Sequence, residues 1–245
     1  MTESALRLSD VTTGYGDIVV VRNISLTVPA GTAYLLLGRN GAGKTTLLHT
    51  IAGLLPALAG EVRVLGERID KLTPDRRMRK GLALVQSEKR VFKRLTVEQN
   101  LRLGWYVRRG DRDGYRAALA GAFERFPMLR DRARAQAGLL SGGQQQMLAI
   151  AQALMPNPAI IMLDEPTAGL APGIARQVLD AIAQLKVEGK AILLVEQAVL
   201  TALPIADHIG VMTQGELGLS LPANEIADIS QIQDLYLGTR SEPTG

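Results

Sequence analysis

The stretch GRNGAGKTT, residues 38–46, constrains the fold of this chain more than any other. It follows the apolar run AYLLL and satisfies the spacing G-x-x-x-x-G-K-[ST] through Gly38, Gly43, Lys44 and Thr45. Glycines in such a loop let backbone N–H groups converge on phosphate oxygens, and the N-terminus of the following helix adds partial positive charge. The sequence therefore predicts a phosphate-binding loop for a nucleotide, made of Gly38, Arg39, Asn40, Gly41, Ala42, Gly43, Lys44, Thr45 and Thr46. Within it, the Lys44 ammonium is expected to reach the β and γ phosphates and the Thr45 hydroxyl to bind Mg²⁺.

A second stretch, AIIMLDEP at residues 159–166, supplies the carboxylates that such a loop needs. An apolar strand ending in Asp164 places that carboxylate beside the loop, where it can hold the Mg²⁺ shell, often through water. Glu165 follows directly and can orient or deprotonate an attacking water. We therefore expect Asp164 to act on the metal, and Glu165 and Lys44 to be catalytic.

Composition limits the other classes of function. The chain has 245 residues, of which 47% are hydrophobic and 21% charged, enough for one sizeable core. The absence of cysteine excludes disulfides and thiolate metal sites. The first ten residues do not resemble a signal peptide, and no apolar run reaches the ~20 residues that span a bilayer. We therefore expect no export, and any membrane role to be peripheral.

Arginines are dense in two stretches, 108–116 and 125–134, although the formal net charge is only +4. Acidic residues are interleaved among them, which favours a solvated helical face over contact with a partner or with anionic headgroups. Few aromatic residues accompany the arginines, so a nucleic-acid partner is not expected.

Strand and helix patterns alternate along most of the chain, which predicts an α/β fold with a mainly parallel sheet. Together with the motif at 38–46, this predicts a P-loop NTPase core. Segment 5–28 predicts a small antiparallel β layer, and helical patterns follow Gly43, Gly143 and Pro172. The expected strands are 5–11, 33–38, 82–86, 159–164 and 191–195.

Residues 96–139 break this alternation. Thr96 and Gln99 have the spacing of a capping box, and helical patterns continue through 115–134 without a convincing strand. We therefore expect one domain over 1–245, with an inserted α-helical subdomain at 96–139 between two parts of a nucleotide-binding core, 1–95 and 140–245.

The motif LSGGQQQ at residues 140–146 adds a second glycine turn at the start of a helix. With the two motifs above, it makes the chain resemble the ATP-binding-cassette (ABC) ATPases over nearly its whole length. In that family the glycine turn of this motif is the signature loop. The resemblance implies that the signature loop of one subunit closes over ATP held by the phosphate-binding loop of another. The signature residues implied to bind ATP are Ser141, Gly142, Gly143 and Gln144.

The same resemblance implies three further roles. Tyr15, in GYG, would stack on adenine, and residues 96–139 would meet a membrane partner. Gln86 would be the connecting-loop glutamine that binds nucleotide and metal, although the family spacing counted back from LTV falls on Ser87.

Gln197, in LLVEQ, stands where the family usually has a histidine that contacts the γ-phosphate. Its carboxamide can donate a hydrogen bond but cannot take up a proton, so we expect Gln197 to be a neutral catalytic residue. Ala171 stands where the family often has aspartate. Both departures favour a subunit that works opposite a non-identical partner.

Several stretches are similar to one ATP-binding subunit of branched-chain amino-acid uptake systems: EKRVF with LTVEQNL (88–101), DEPTAGLAP (164–172), LLVEQ (193–197) and LYLG (235–238). This implies ATP and Mg²⁺ as cofactors and a place at the cytoplasmic face of the bacterial inner membrane. The implied partners are a second ATP-binding subunit, a homodimer remaining possible, two permeases and a solute-binding protein. Urea or amide importers, a nucleotide-gated subunit of low activity and a nucleic-acid maintenance ATPase are the alternatives.

Overall fold

The computed structural model describes residues 4–87, 91–197 and 199–226. The EKR of EKRVF and the whole of LYLG lie outside these residues. Within them the elements are β1 (Ser4–Tyr15), β2 (Ile18–Pro29), β3 (Ala33–Leu37), α1 (Lys44–Ala52), β4 (Ala57–Val64), β5 (Glu67–Arg68), α2 (Pro74–Arg79), β6 (Leu82–Val85), α3 (Val97–Gly104), α4 (Arg112–Arg125), α5 (Pro127–Asp131), α6 (Gly142–Leu154), β7 (Ile160–Asp164), α7 (Pro172–Val187), β8 (Ala191–Val195), α8 (Val199–Ala202), β9 (His208–Thr213) and β10 (Glu216–Pro222).

The larger sheet has six strands in the order β10-β9-β3-β8-β7-β6. All neighbouring pairs are parallel except β10 with β9. Every residue of β3, β7 and β8 is buried, as expected of strands covered on both faces. The α/β fold with a mainly parallel sheet is therefore confirmed, and the predicted strands of this sheet lie within a residue of their observed ends.

The smaller sheet is antiparallel, in the order β2-β1-β4-β5, which confirms the predicted β layer and enlarges it. The sequence analysis missed β4, β5, β9 and β10. The sequence of β4, ALAGEVRV, has no clean alternation of apolar and polar residues. Its pairing partner β1 lies about fifty residues earlier, so no local pattern shows it.

The large sheet separates two apolar cores, because successive residues of a strand point to opposite faces. In β3, Leu35 and Leu37 join the core that includes α6 and α7. Tyr34 and Leu36 join the core that includes α1 and the antiparallel sheet. The helix after the phosphate-binding loop and the helix after the signature motif therefore lie on opposite faces of the sheet.

Residues 97–131 are predominantly helical, as expected. The capping box at the start of α3 is present: the Thr96 hydroxyl accepts from the Gln99 backbone N–H at 3.1 Å, and the Gln99 side chain accepts from the Thr96 N–H at 2.8 Å. Four backbone hydrogen bonds tie the two ends of this segment together, from Val97 to Ala135, Glu98 to Ala133, Ala137 to Leu95 and Gly138 to Lys93. The segment thus leaves and rejoins the rest of the chain at nearly one place.

The arginines of 108–116 and of 130–134 are exposed, in agreement with the expected solvated face. Arg125 differs: it is half-buried and donates to the Glu188 carboxylate at 2.7 Å. Within the described ranges, no helix is both long enough and apolar enough to pass through a bilayer.

Candidate active site

The phosphate-binding loop connects the carboxyl end of β3 to the first turn of α1. Its glycines are required by the backbone: Gly41 and Gly43 have φ of 82° and 98°. A Cβ at Gly38 would lie 2.5 Å from the Met212 carbonyl oxygen. The Lys44 ammonium donates to the carbonyl oxygens of Gly38 and Arg39, at 2.6 and 3.0 Å. The Lys44 side chain thus folds back over the phosphate-binding loop.

Lys44 is buried, and this burial lowers the pKa of its ammonium. The nearby carboxylates of Glu165 and Asp164 oppose that shift. A cation and two carboxylates from different parts of the sequence therefore share one edge of the sheet, where a phosphate chain and a metal ion would both find opposite charges.

Thr45 and Asp164 meet as the sequence predicted. The Thr45 hydroxyl donates to Asp164 Oδ2 at 2.9 Å. Asp164 is 3% exposed, and burial raises the pKa of its carboxyl group, with the Thr45 hydrogen bond acting in the opposite direction. Asp164 Oδ1 is buried and has no hydrogen-bond partner among the described residues.

These oxygens fit a hard cation. Hydroxyl and carboxylate oxygens are ligands that Mg²⁺ prefers, and an unpartnered buried carboxylate oxygen calls for a cation or a bound water. In the described residues no three His, Asp or Glu side chains could hold an ion by themselves. The donor set therefore suits Mg²⁺, which keeps several waters and takes further oxygens from phosphate.

Glu165 lies in a left-handed backbone conformation, with φ of 47°. This region is disfavoured for residues other than glycine and is occupied when surrounding contacts impose it. The Glu165 N–H donates to the Val195 carbonyl at 2.9 Å, and the Ala168 N–H donates to the Glu165 carbonyl at 3.1 Å. The turn after β7 is thus tied to the end of β8.

Gln197 joins Glu165 to the phosphate-binding loop. Its Nε2 donates to Glu165 Oε1 at 2.5 Å and to Asn40 Oδ1 at 2.7 Å. A carboxylate accepts only, so the amide must present its NH₂ group to Glu165. The sequence predicted a donor to phosphate here, and the structure places the Gln197 amide in direct contact with the candidate base.

Glu196 is a site residue that the sequence analysis missed. It is 2% exposed, and its Oε1 accepts from the Thr167 N–H at 3.0 Å and from the Thr167 hydroxyl at 2.6 Å. Burial raises the pKa of this carboxyl group, and the Thr167 hydrogen bonds oppose the shift. The available signal was an acidic residue directly after the apolar strand β8.

Gln86 directly follows β6, as expected, but its amide approaches a different partner. Gln86 Nε2 lies 3.4 Å from His49 Nε2, and His49 is one helical turn after Thr45 on α1. The described structure gives Gln86 no hydrogen bond to Thr45 or Asp164. Gln86 therefore lies at the edge of the site, while Ser87 is exposed in the following turn.

Tyr15 is 52% exposed at the end of β1, where the hairpin turns into β2. The following strand touches the phosphate-binding loop, since a Cβ at Gly43 would lie 3.0 Å from Val21 Cγ2. The β1–β2 hairpin is thus beside the loop, and the Tyr15 ring is accessible to a planar ligand.

The signature residues form the first turn of α6. The Ser141 hydroxyl accepts from the Gln144 N–H at 3.3 Å, and Gln144 Oε1 accepts from the Ser141 N–H at 3.0 Å, a second capping box. A Cβ at Gly143 would lie 2.3 Å from Ile174 Cγ2, so a larger residue here would force Ile174 to shift where α6 meets α7. The signature turn thus begins a helix on the face of the sheet opposite to α1, the helix that follows the phosphate-binding loop.

Comparison with known proteins gives consistent results. The model of the family described as ABC transporter matches residues 21–168. The high-affinity branched-chain amino acid transport ATP-binding protein BraG of Pseudomonas aeruginosa is 41% identical, over 95% of this chain and 99% of that protein. The similarly described BraF of the same organism is 31% identical, over 97% and 99%.

Among solved structures, a nucleotide-free ATP-binding cassette from an ABC transporter has a TM-score of 0.83 and 27% identity. The alignment covers 95% of this chain and 98% of that one. The family model covers more than half of the chain, and the two relatives cover almost all of it. The chain therefore belongs to the ABC transporter family, as one of its ATP-binding, ATP-hydrolysing proteins.

Proposed function

We propose that this chain is the ATP-hydrolysing subunit of an amino-acid importer and that Glu165 is its catalytic base. The observation that carries the catalytic assignment is the convergence of Lys44, Thr45, Asp164, Glu165 and Gln197 at the carboxyl edge of one sheet. No other part of the described chain combines a phosphate-binding loop with paired acids.

In the proposed reaction, water attacks the γ-phosphorus of ATP while Glu165 accepts a proton from that water. The bond from the γ-phosphorus to the bridging oxygen breaks, and ADP and phosphate leave. Lys44 would release the carbonyls of Gly38 and Arg39 and donate to the β and γ phosphates instead. Thr45 and Asp164 would hold Mg²⁺, and Gln86 would have to leave His49 to join them. Bound there, the ion would supply positive charge against the phosphate oxygens.

Gln197 has two N–H donors, which contact Glu165 and Asn40. We propose that the Glu165 contact is kept when ATP is bound, and that the Asn40 contact is exchanged for the γ-phosphate. Gln197 would then hold the base and the phosphoryl group at a fixed distance from each other, which is the main requirement for transfer to water.

Two chains would be needed for one complete site. The signature turn and the phosphate-binding loop lie on helices that pack against opposite faces of the sheet. We therefore propose that Ser141, Gly142, Gly143 and Gln144 act on ATP bound to a second ATP-binding subunit. The pair BraG and BraF in one organism supports a non-identical partner. Residues 96–139 would form the subdomain that faces the permeases.

The transported solute is proposed from the relatives, because both are described as branched-chain amino acid transport proteins. The complex would contain two permeases and receive solute from a binding protein, with this chain peripheral on the cytoplasmic face of the membrane. Nucleic acid is not a proposed partner.

The test is isolation of the full chain from the membranes of its own cells, followed by uptake measurements in vesicles. The expected result is co-isolation of two permeases and a second cassette, with ATP-dependent uptake of labelled leucine that labelled urea does not match. The Lys44→Ala variant should assemble but not transport, and a surface control, Lys71→Ala, should transport normally. Isolation with DNA or ribosomes, or uptake of urea alone, would contradict the proposal.

A further inference from the structure

Glu196 is a buried acidic residue for which the proposed hydrolysis has no role. It directly follows β8, a strand with no exposed residue, and is itself 2% exposed. Burial of a carboxylate is unfavourable unless hydrogen bonds compensate for the lost water. Such a residue at this position therefore needs a physical explanation.

The hydrogen bonds of Glu196 supply that explanation. Oε1 accepts from the Thr167 N–H and hydroxyl at 3.0 and 2.6 Å, and Oε2 accepts from the Gln197 N–H at 3.3 Å. Both oxygens are thus engaged with protein donors, and the group is closed to solvent. Glu196 is not arranged to accept a proton from a water on phosphate.

The two partners of Glu196 flank the candidate base. Thr167 follows Glu165 by two residues in the turn whose left-handed backbone needs support. Gln197 carries the amide that donates to Glu165 Oε1. The contacts close a ring: Glu196 to Thr167, Thr167 through the turn to Glu165, Glu165 to the Gln197 side chain, and the Gln197 backbone to Glu196.

We infer that Glu196 is a positioning residue, whose carboxylate fixes the turn after β7 against the end of β8 so that Glu165 and Gln197 are held in contact. This inference rests on the proposed catalytic role of Glu165. It differs from a purely structural role, because a structural carboxylate would affect folding without selectively affecting the chemical step.

The first test is Glu196→Gln in the membrane complex isolated through the full chain. The variant keeps the volume of the side chain and an acceptor for Thr167, but turns an NH₂ group towards the Gln197 N–H. We expect kcat to fall about 10- to 100-fold, with KM for ATP and equilibrium ATP binding changed less than about twofold. Glu216→Gln, an exposed glutamate of β10, is the matched control and should keep the parent kcat.

The second test acts from the other side of the ring. Thr167→Val removes the shorter hydrogen bond and keeps the backbone N–H, so kcat should fall several-fold, and Thr167→Ser should restore it. In a Gln197→Ala background, Glu196→Gln should lower kcat by less than about twofold more, because the contact that it positions is already lost.

The outcomes separate this inference from the proposed function. Unchanged kcat in Glu196→Gln, beside lost turnover in Glu165→Gln, would overturn the positioning role and leave the catalytic assignment intact. Fully multiplicative losses in the Gln197→Ala background, or weakened ATP binding in step with kcat, would show a structural role only. Retained turnover in Glu165→Gln would contradict both.

Discussion

At the scale of single residues, Gln197 places a side chain that does not titrate beside Glu165. A histidine at this position would change its charge near neutral pH, whereas a carboxamide stays neutral. The Gln197 amide contacts Glu165 and Asn40, so its neutrality bears on the candidate base directly. The site thus keeps a hydrogen-bond donor at this position without keeping a titratable one.

The Gln197→His variant tests whether a titratable side chain at this position makes the ATPase rate depend on pH near neutrality. We expect its ATPase pH profile to gain an inflection near the usual histidine pKa of about 6.5, because protonation adds a charge and a second N–H donor to the neutral ring. The measurement is kcat against pH for the parent, the variant and Gln197→Asn, a neutral control that should add no inflection. A histidine variant with the parent's profile would refute it.

The burial of Glu196 leads to a second prediction, which concerns the pH dependence of folding stability and not the rate of hydrolysis. Burial raises the pKa of Glu196 when the chain folds. Between the unfolded value of about 4.3 and the raised one, the folded chain binds more protons than the unfolded chain, so stability falls as pH rises through this interval. Glu196→Gln has no such titration. Its stability relative to the parent should therefore improve from about pH 4 to about pH 7.

Urea unfolding of both chains at the two pH values measures this difference, with Glu216→Gln as the surface reference. A relative stability of Glu196→Gln that stays constant, or worsens with rising pH, would show that the burial of Glu196 does not have this effect.

At the scale of elements, the sequence predicted α3 and the buried parallel strands, but it missed two tight hairpins, β4 with β5 and β9 with β10. The start of α3 was predictable because Thr96 and Gln99 are three residues apart and cap each other. Strands β3, β7 and β8 were predictable because each is a continuous apolar run, as expected of strands buried on both faces. β4 also pairs with β1, and β9 with β3, both of which are distant in the sequence. The residues of β4 and β9 do not by themselves indicate these partners.

The same limit applies to the site. Lys44, Thr45 and Asp164 belong to motifs whose residue types and spacing predict binding of phosphate and Mg²⁺. The structure brings Thr45 and Asp164 into contact. Glu196 is not part of a motif with a recognisable spacing. Its partner Thr167 lies about thirty residues earlier in the chain, and the two side chains meet only because β7 and β8 pair. The approach of Gln86 to His49 likewise needs β6 and α1 in place.

Helix α7 begins without a side-chain cap, because Ala171 occupies the N-cap position. Ala171→Asp should stabilise the chain by about 1 kcal/mol, since aspartate can accept a hydrogen bond from the first turn and complements the helix dipole. Chemical unfolding measures the change. Ala171→Asn, which caps without charge, should give part of it, and an unchanged or lower stability in both variants would show that this helix start has no need of a cap.

At the scale of the whole molecule, the large sheet lies between α1, which follows the phosphate-binding loop, and α6, which begins with the signature turn. The phosphate-binding loop and the acids belong to the face that carries α1 and to the carboxyl edge, and the signature turn belongs to a helix on the other face. This separation is the physical reason for proposing that two chains complete each site. A non-identical partner would allow the two sites to differ in activity.

The central claim is that Glu165 is the base in a site completed by a second chain. The most direct measurement is turnover and ATP retention in the isolated complex carrying Glu165→Gln, beside Glu216→Gln. We predict that ATP stays bound, that turnover falls about 10²- to 10⁴-fold, and that the two cassettes remain associated in ATP. Turnover equal to that of the control would contradict the account.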